Sequence, residues 1–180
     1  SSAASDVYKR QAIESLNVPT ICLINGYCLG GGAELSLACD FRIVTKDSQL
    51  SLPEMKIGMI PGSGGSARLA KMIGISRTKN IIMRGKRLSG EEAYQLGIAC
   101  ELVEKSELEN MTQKIVKELI SVSPLAQRTI KSVLNATQNA TLHTSIDLEG
   151  EAYGRLRSSN DFKEGVESFS EKRPPSYKGN

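Results

Sequence analysis

The stretch "PTICLINGYCLGGGAELSLACDFRIVT", residues 19–45, reads as strand, glycine turn, helix and strand in immediate succession. The apolar run over 19–26 follows Pro19 and closes on Asn25-Gly26, which predicts a buried strand. Gly30, Gly31 and Gly32 come next. Without Cβ atoms, their backbone can take strained dihedrals or approach a ligand closely. Ala33, Leu35, Leu37 and Ala38 then suit a short buried helix over 32–39, and 41–45 alternates as a second strand. Together these make an α/β pattern. A helix start carries N–H groups with no intrahelical partner, and these attract negative charge; Glu34 sits in that first turn.

Outward from this stretch, "QLSL" (49–52) predicts a third strand and "PEMKIGMIPGSGG" (53–65) a loop. Helices are expected over 66–74, 76–85 and 89–97, the last with a Ser89–Glu92 capping box, followed by a strand over 98–103. A second box, Ser106–Glu109, opens a predicted helix over 106–122. Ser123-Pro124 opens another over 123–137, and two more cover 141–157 and 161–171 before an irregular tail. Residues 11–103 therefore form an α/β core and 104–180 a helical region. The apolar stripe of that region (Phe162, Val166, Phe169) is expected to pack on the core or on a neighbouring subunit. The first ten residues, "SSAASDVYKR", have no initiator Met and no apolar pattern. They read as a non-native or unstructured start and are left out of the fold.

The chain has 180 residues, room for a real core, and a net charge of +3 from 23 basic and 20 acidic residues. That bias is too weak to imply nucleic acid, and no apolar run approaches the ~20 residues of a membrane span. Cys22, Cys28 and Cys39 lie in apolar segments and form no CxxC with one another or with Cys100. They read as reduced packing residues in a reducing compartment. With His143 the one histidine, no zinc or other metal site is expected.

Neither glycine turn is a nucleotide motif. "GGGAEL" lacks the Lys-Ser/Thr of a P-loop, and no GxGxxG follows the first strand. Alone, the three glycines would read most simply as a tight turn, and Glu34 as a helix-dipole partner. Glu34, however, lies between Ala33 and Leu35. Glu54 follows Pro53 amid Leu52, Met55 and Ile57. Two half-buried carboxylates at the ends of adjacent strand-loop units can converge on one cleft and divide acid and base roles, each worth about 10²–10⁴ in rate. A glycine N–H beside them can hold a developing oxyanion, worth roughly 3–4 kcal/mol.

"INGYCLGGGAELSLACDFRIV", "LPEMKIGMIPGSGGSARLAKMIG", "LSGEEAYQLGIACELV" and "FSEKRPPSYKGN", in that order, resemble the crotonase family, specifically its enoyl-CoA hydratases. The resemblance runs from about residue 12 to residue 180. It implies a crotonase-like spiral of β-β-α units with a C-terminal helical region used in trimerisation. It implies a soluble homotrimer or dimer of trimers acting on an acyl-CoA thioester. No membrane, nucleic acid or cofactor is expected beyond the coenzyme A of the substrate. In that pattern Gly31 gives an oxyanion N–H, Glu34 orients and activates water for attack at C3, and Glu54 supplies the proton to C2. Gly30, Gly62, Phe169 and Lys172 match substrate-contacting positions, the last two near coenzyme A, often from a neighbouring subunit. The family's other oxyanion donor lies upstream of "INGY", so the chain reads as the C-terminal two-thirds of a hydratase. The location implied is a bacterial cytoplasm or, in a eukaryote, the mitochondrial matrix.

Rival readings stay open at this point. Isomerases of the same family usually keep only the glutamate matching Glu54, so Glu34 favours hydration. The ending "EKRPPSYKG" resembles methylglutaconyl-CoA hydratases, and "LPE" with "SGG" resembles carnitinyl-CoA dehydratases. From another class, an RNA-binding module would use Lys71, Arg77, Lys79, Arg84, Lys86 and Arg87, but no aromatic lies among them and a solvated helix face is the simpler reading. A non-catalytic subunit would not need both glutamates.

Overall fold

The computed structural model describes the backbone of residues 2–180 and side chains from Tyr8 onward. It divides into two compact units: Ser1–Leu16 with Thr20–Gln113, and Asn17–Pro19 with Lys114–Asn180. The first unit holds every strand and begins with α1 (Ser2–Glu14). That helix runs through the stretch read from sequence as having no regular element. The sequence pattern hides it because its apolar face is weak. It is pinned instead by polar contacts, with Arg68 Nη2 2.7 Å from Glu14 Oε2.

Two small sheets follow. β1 (Ile21–Ile24), β3 (Phe41–Thr45) and β6 (Glu101–Val103) pair in parallel in the order β1-β3-β6, with Cys22 opposite Arg42 and Ile43 opposite Glu101. β3 is central, with both edges paired, and it is buried from Arg42 to Thr45. β1 lies at the edge, and Leu23 is exposed, so the expected buried strand is only partly buried. The second sheet pairs β2 (Tyr27–Leu29) with β4 (Gln49–Ser51) in parallel and β4 with β5 (Leu88–Ser89) antiparallel. β2 and β5 had no sequence signal, being too short to show a period.

α2 (Gly31–Leu37) leaves the second sheet and buries Ala33 and Leu37 in the core with Ile24, Val44, Leu50, Leu52 and Leu69. α3 (Gly65–Ile73), α4 (Ile75–Ile82) and α5 (Gly90–Gln95) complete the unit. The Ser89–Glu92 capping box forms at α5. Gly90 is required there by close approach, since a Cβ would lie 2.0 Å from Thr45 O. Gly90→Ala is expected to cost about 3 kcal/mol by forcing α5 off β3, read as an earlier urea unfolding midpoint.

α6 (Leu108–Ile120) leads into the second unit. The Ser106–Glu109 box does not form. The chain enters through a 3-10 turn, Lys105–Glu107, with Glu104 at its N-cap position and no side-chain cap bond, which places Ser106 inside the turn. α7 (Pro124–Thr137) opens as expected, with Ser123 accepting from Ala126 N, and α8 (Leu142–Leu156) and α9 (Asn160–Glu171) follow. The tail returns to α9, where buried Asp161 accepts N–H bonds from Lys178 and Gly179. Among the described residues, no helix is long and apolar enough to cross a membrane.

Candidate active site

Both ends of α2 are held by other segments. Gly30 precedes the helix at φ 53° and ψ −121°, where a side chain would be strained, and its N–H donates to Ser51 O at 2.9 Å. This bond ties the helix start to the end of β4. Glu54 packs against the bare face of Gly30: a Cβ there would lie 3.1 Å from Glu54 Oε1. Gly31 opens the helix, so its N–H has no intrahelical acceptor. The first helical bond runs from Glu34 N to Gly30 O.

Glu34 is 4% exposed. Its Oε1 accepts N–H bonds from Ser63 at 2.7 Å and Gly65 at 3.2 Å, which orient the carboxylate from the turn that opens α3. Glu54 opens a 3-10 turn, Glu54–Ile57. Its Oε2 is buried and has no hydrogen-bond partner among the described residues. Such an oxygen can accept a hydrogen bond from a group outside the chain. Two carboxylates therefore stand about one helix start, Glu54 against Gly30 and Glu34 one turn along. The arrangement can meet a developing anion with a backbone N–H and transfer protons beside it.

The structure brings Gly30, Gly31, Glu34 and Glu54 together. Gly62 is exposed, on the turn just before Ser63. Phe169 and Lys172 belong to the second unit. Phe169 is 87% exposed, and Lys172 caps α9 in the left-handed conformation at φ 54°. Phe169 lines an apolar cavity of about 510 Å³ with Tyr153, Phe162, Val166 and Tyr177. The sequence reading missed Ser63 and Gly65. Their contribution is a backbone N–H, which no residue type announces. Arg10 Nη2 donates to Gly31 O at 3.0 Å and lies 3.8 Å from Glu34 Oε2.

With a glycine helix start beside two small sheets, one parallel and one mixed, the fold is that of a crotonase-type α/β protein. The chain belongs to the enoyl-CoA hydratase/isomerase family, whose model matches residues 2–180. It is 34% identical to the short-chain-enoyl-CoA hydratase of Clostridium acetobutylicum, covering 93% of this chain and 63% of that protein. It is 37% identical to the mitochondrial methylglutaconyl-CoA hydratase of Mus musculus, over 93% of this chain and 54% of that one. The crystal structure of enoyl-CoA hydratase from Bacillus anthracis superposes with a TM-score of 0.97 at 38% identity, over 99% of this chain and 69% of that chain. The chain thus spans between half and two-thirds of the length of the curated relatives it matches.

Proposed function

We propose that the protein, at the length of its relatives, is an enoyl-CoA hydratase, a lyase that reversibly adds water syn across the double bond of a 2-enoyl-CoA thioester. The observation that carries this reading is the placement of Glu34 and Glu54 about the Gly30–Gly31 helix start. Conjugation to the thioester makes C3 electrophilic. Attack there moves negative charge onto the thioester oxygen, which the Gly31 N–H meets with little reorganisation. Glu34, held by Ser63 and Gly65, orients the water and takes its proton as oxygen bonds to C3. Glu54 gives a proton to C2. A double-bond shift needs one base rather than two carboxylates flanking a water, so the pair favours hydration over isomerisation.

Gly30 contacts the substrate, Gly62 lines the site near the attacking water, and Phe169 with Lys172 approaches coenzyme A from a neighbouring subunit of a homotrimer or dimer of trimers. The exposure of Phe169 and of Ile146, Tyr153 and Val166 in the helical unit supports such an assembly. No cofactor is needed beyond the coenzyme A that the substrate carries. The names of the relatives support a short-chain or branched acyl group, and the setting proposed is cytoplasm or mitochondrial matrix.

The test is the loss of conjugated enoyl-thioester absorbance with crotonyl-CoA, using the protein extended to the length of its relatives. Rapid loss is expected. A folded protein that leaves the absorbance unchanged would sink the hydratase reading, and a shift of a 3-enoyl-CoA double bond in its place would establish isomerisation.

A further inference from the structure

β1 and the C-terminal end of α2 bring two of the four cysteines together. Cys22 is the register partner of Arg42 in the parallel β1–β3 pair, so their side chains leave the sheet on one face. The Arg42 guanidinium folds toward the end of α2, where it donates to the carbonyls of Ser36 and Cys39. Thr20 N and Oγ1 donate to Asp40 Oδ2 at 2.7 and 2.8 Å, and Asp40 N donates back to Thr20 Oγ1 at 2.9 Å. Cys39 is therefore held against β1 by the residue that follows it and by the sheet partner of Cys22. The Cys22 and Cys39 sulfurs lie close enough to interact, and the Cys39 thiol also donates to Leu35 O at 3.7 Å. Both cysteines are half-buried, whereas Cys28 is buried and Cys100 exposed. The packing role expected from sequence fits Cys28, which is buried, and Cys22, which packs against the core; the hydration chemistry uses none of the four.

We propose that Cys22 and Cys39 are a reversible oxidation site that a peroxide closes to a disulfide. The Cys39 thiolate attacks one peroxide oxygen, passing two electrons into the O–O bond. A sulfenic acid forms on Cys39 and hydroxide leaves. The Cys22 sulfur then attacks the Cys39 sulfur; the S–S bond forms, the S–O bond breaks, and the hydroxyl departs as water with the Cys22 proton. The neighbouring groups set the roles. The bond from Cys22 and the charge of Arg42 draw the Cys39 thiol down to about 7, against burial and the Asp40 carboxylate. The same bond, burial and the nearby Cys39 and Cys28 sulfurs push the Cys22 thiol up. Cys39 is then the thiolate that meets the oxidant, and Cys22 the thiol that resolves it.

The whole protein, reduced and then exposed to hydrogen peroxide, is expected to lose two of its four thiols and about 2 Da, both restored by dithiothreitol. Trypsin leaves Cys22, Cys28 and Cys39 on one peptide, between Arg10 and Arg42. Chymotrypsin, cutting after Tyr27 and Leu37, separates them, and the linked pair is expected to join Cys22 to Cys39. In Cys22→Ala the link is expected to vanish and dimedone to trap the Cys39 sulfenic acid. Four intact thiols at a peroxide dose that oxidises free cysteine would overturn the proposal. So would a link through Cys28, or one between chains through Cys100. The wild-type peptide map decides the matter even if the variant fails to fold.

Discussion

Glu34→Gln, in the protein at the length of its relatives, is expected to slow enoyl-thioester hydration by about 10²–10⁴ while leaving the fold intact. The amide is nearly isosteric. Its carbonyl oxygen can still accept the N–H bonds from Ser63 and Gly65 that hold Glu34 Oε1, so the turn that opens α3 keeps its anchor. What the amide cannot do is take a proton from water. The loss should therefore fall on kcat, with KM little changed, because the interaction removed is one made in the transition state. The crotonyl-CoA absorbance assay measures the first effect, and a thermal melt by circular dichroism checks the second. A folded Glu34→Gln protein with wild-type turnover would remove Glu34 from the chemistry and leave it a structural acceptor.

Gly31→Pro tests the other half of the site, and the expected loss is roughly 10²–10³ in kcat. Proline is well tolerated at the first helical position, since that N–H has no intrahelical partner and the ring presets a helical φ. Gly31 is the first residue of α2. Gly30 has no Cβ to meet the ring, and the nearest atom to a Cβ at Gly31 is the far end of the Arg10 side chain, at 3.1 Å. The substitution therefore deletes one N–H and little else. Gly31→Ala is the control, because it adds a side chain and keeps the N–H. If proline and alanine slow turnover equally, crowding rather than a lost donor is the cause, and the oxyanion role of Gly31 fails.

Much of the fold was legible because its signals are local. β3 spans the five residues its alternation predicted, and the Ser89 and Ser123 caps form where the sequence put them. A cap needs only side chains within three residues of one another, so its pattern survives in one dimension. The Ser106–Glu109 box shows the limit: the residues fit, but the chain enters α6 through a 3-10 turn that takes in Ser106. β2 and β5 lie beyond that limit. Strands of three and two residues are made by their pairing to β4, and nothing within them specifies it.

By itself the sequence determined the α/β-then-helical order, the glycine helix start, and the identity of Glu34 and Glu54 as the carboxylates to watch. The tertiary structure alone decided what holds them. Ser63 and Gly65 reach Glu34 through main-chain N–H groups, Glu54 presses its carboxylate into the space a Gly30 side chain would take, and Cys39 comes to lie near Cys22. The physical reason is the same in each case. A backbone donor, an absent Cβ and a contact between distant segments carry no residue-type signature, and they come into being only when α2, the turn that opens α3 and β1 pack.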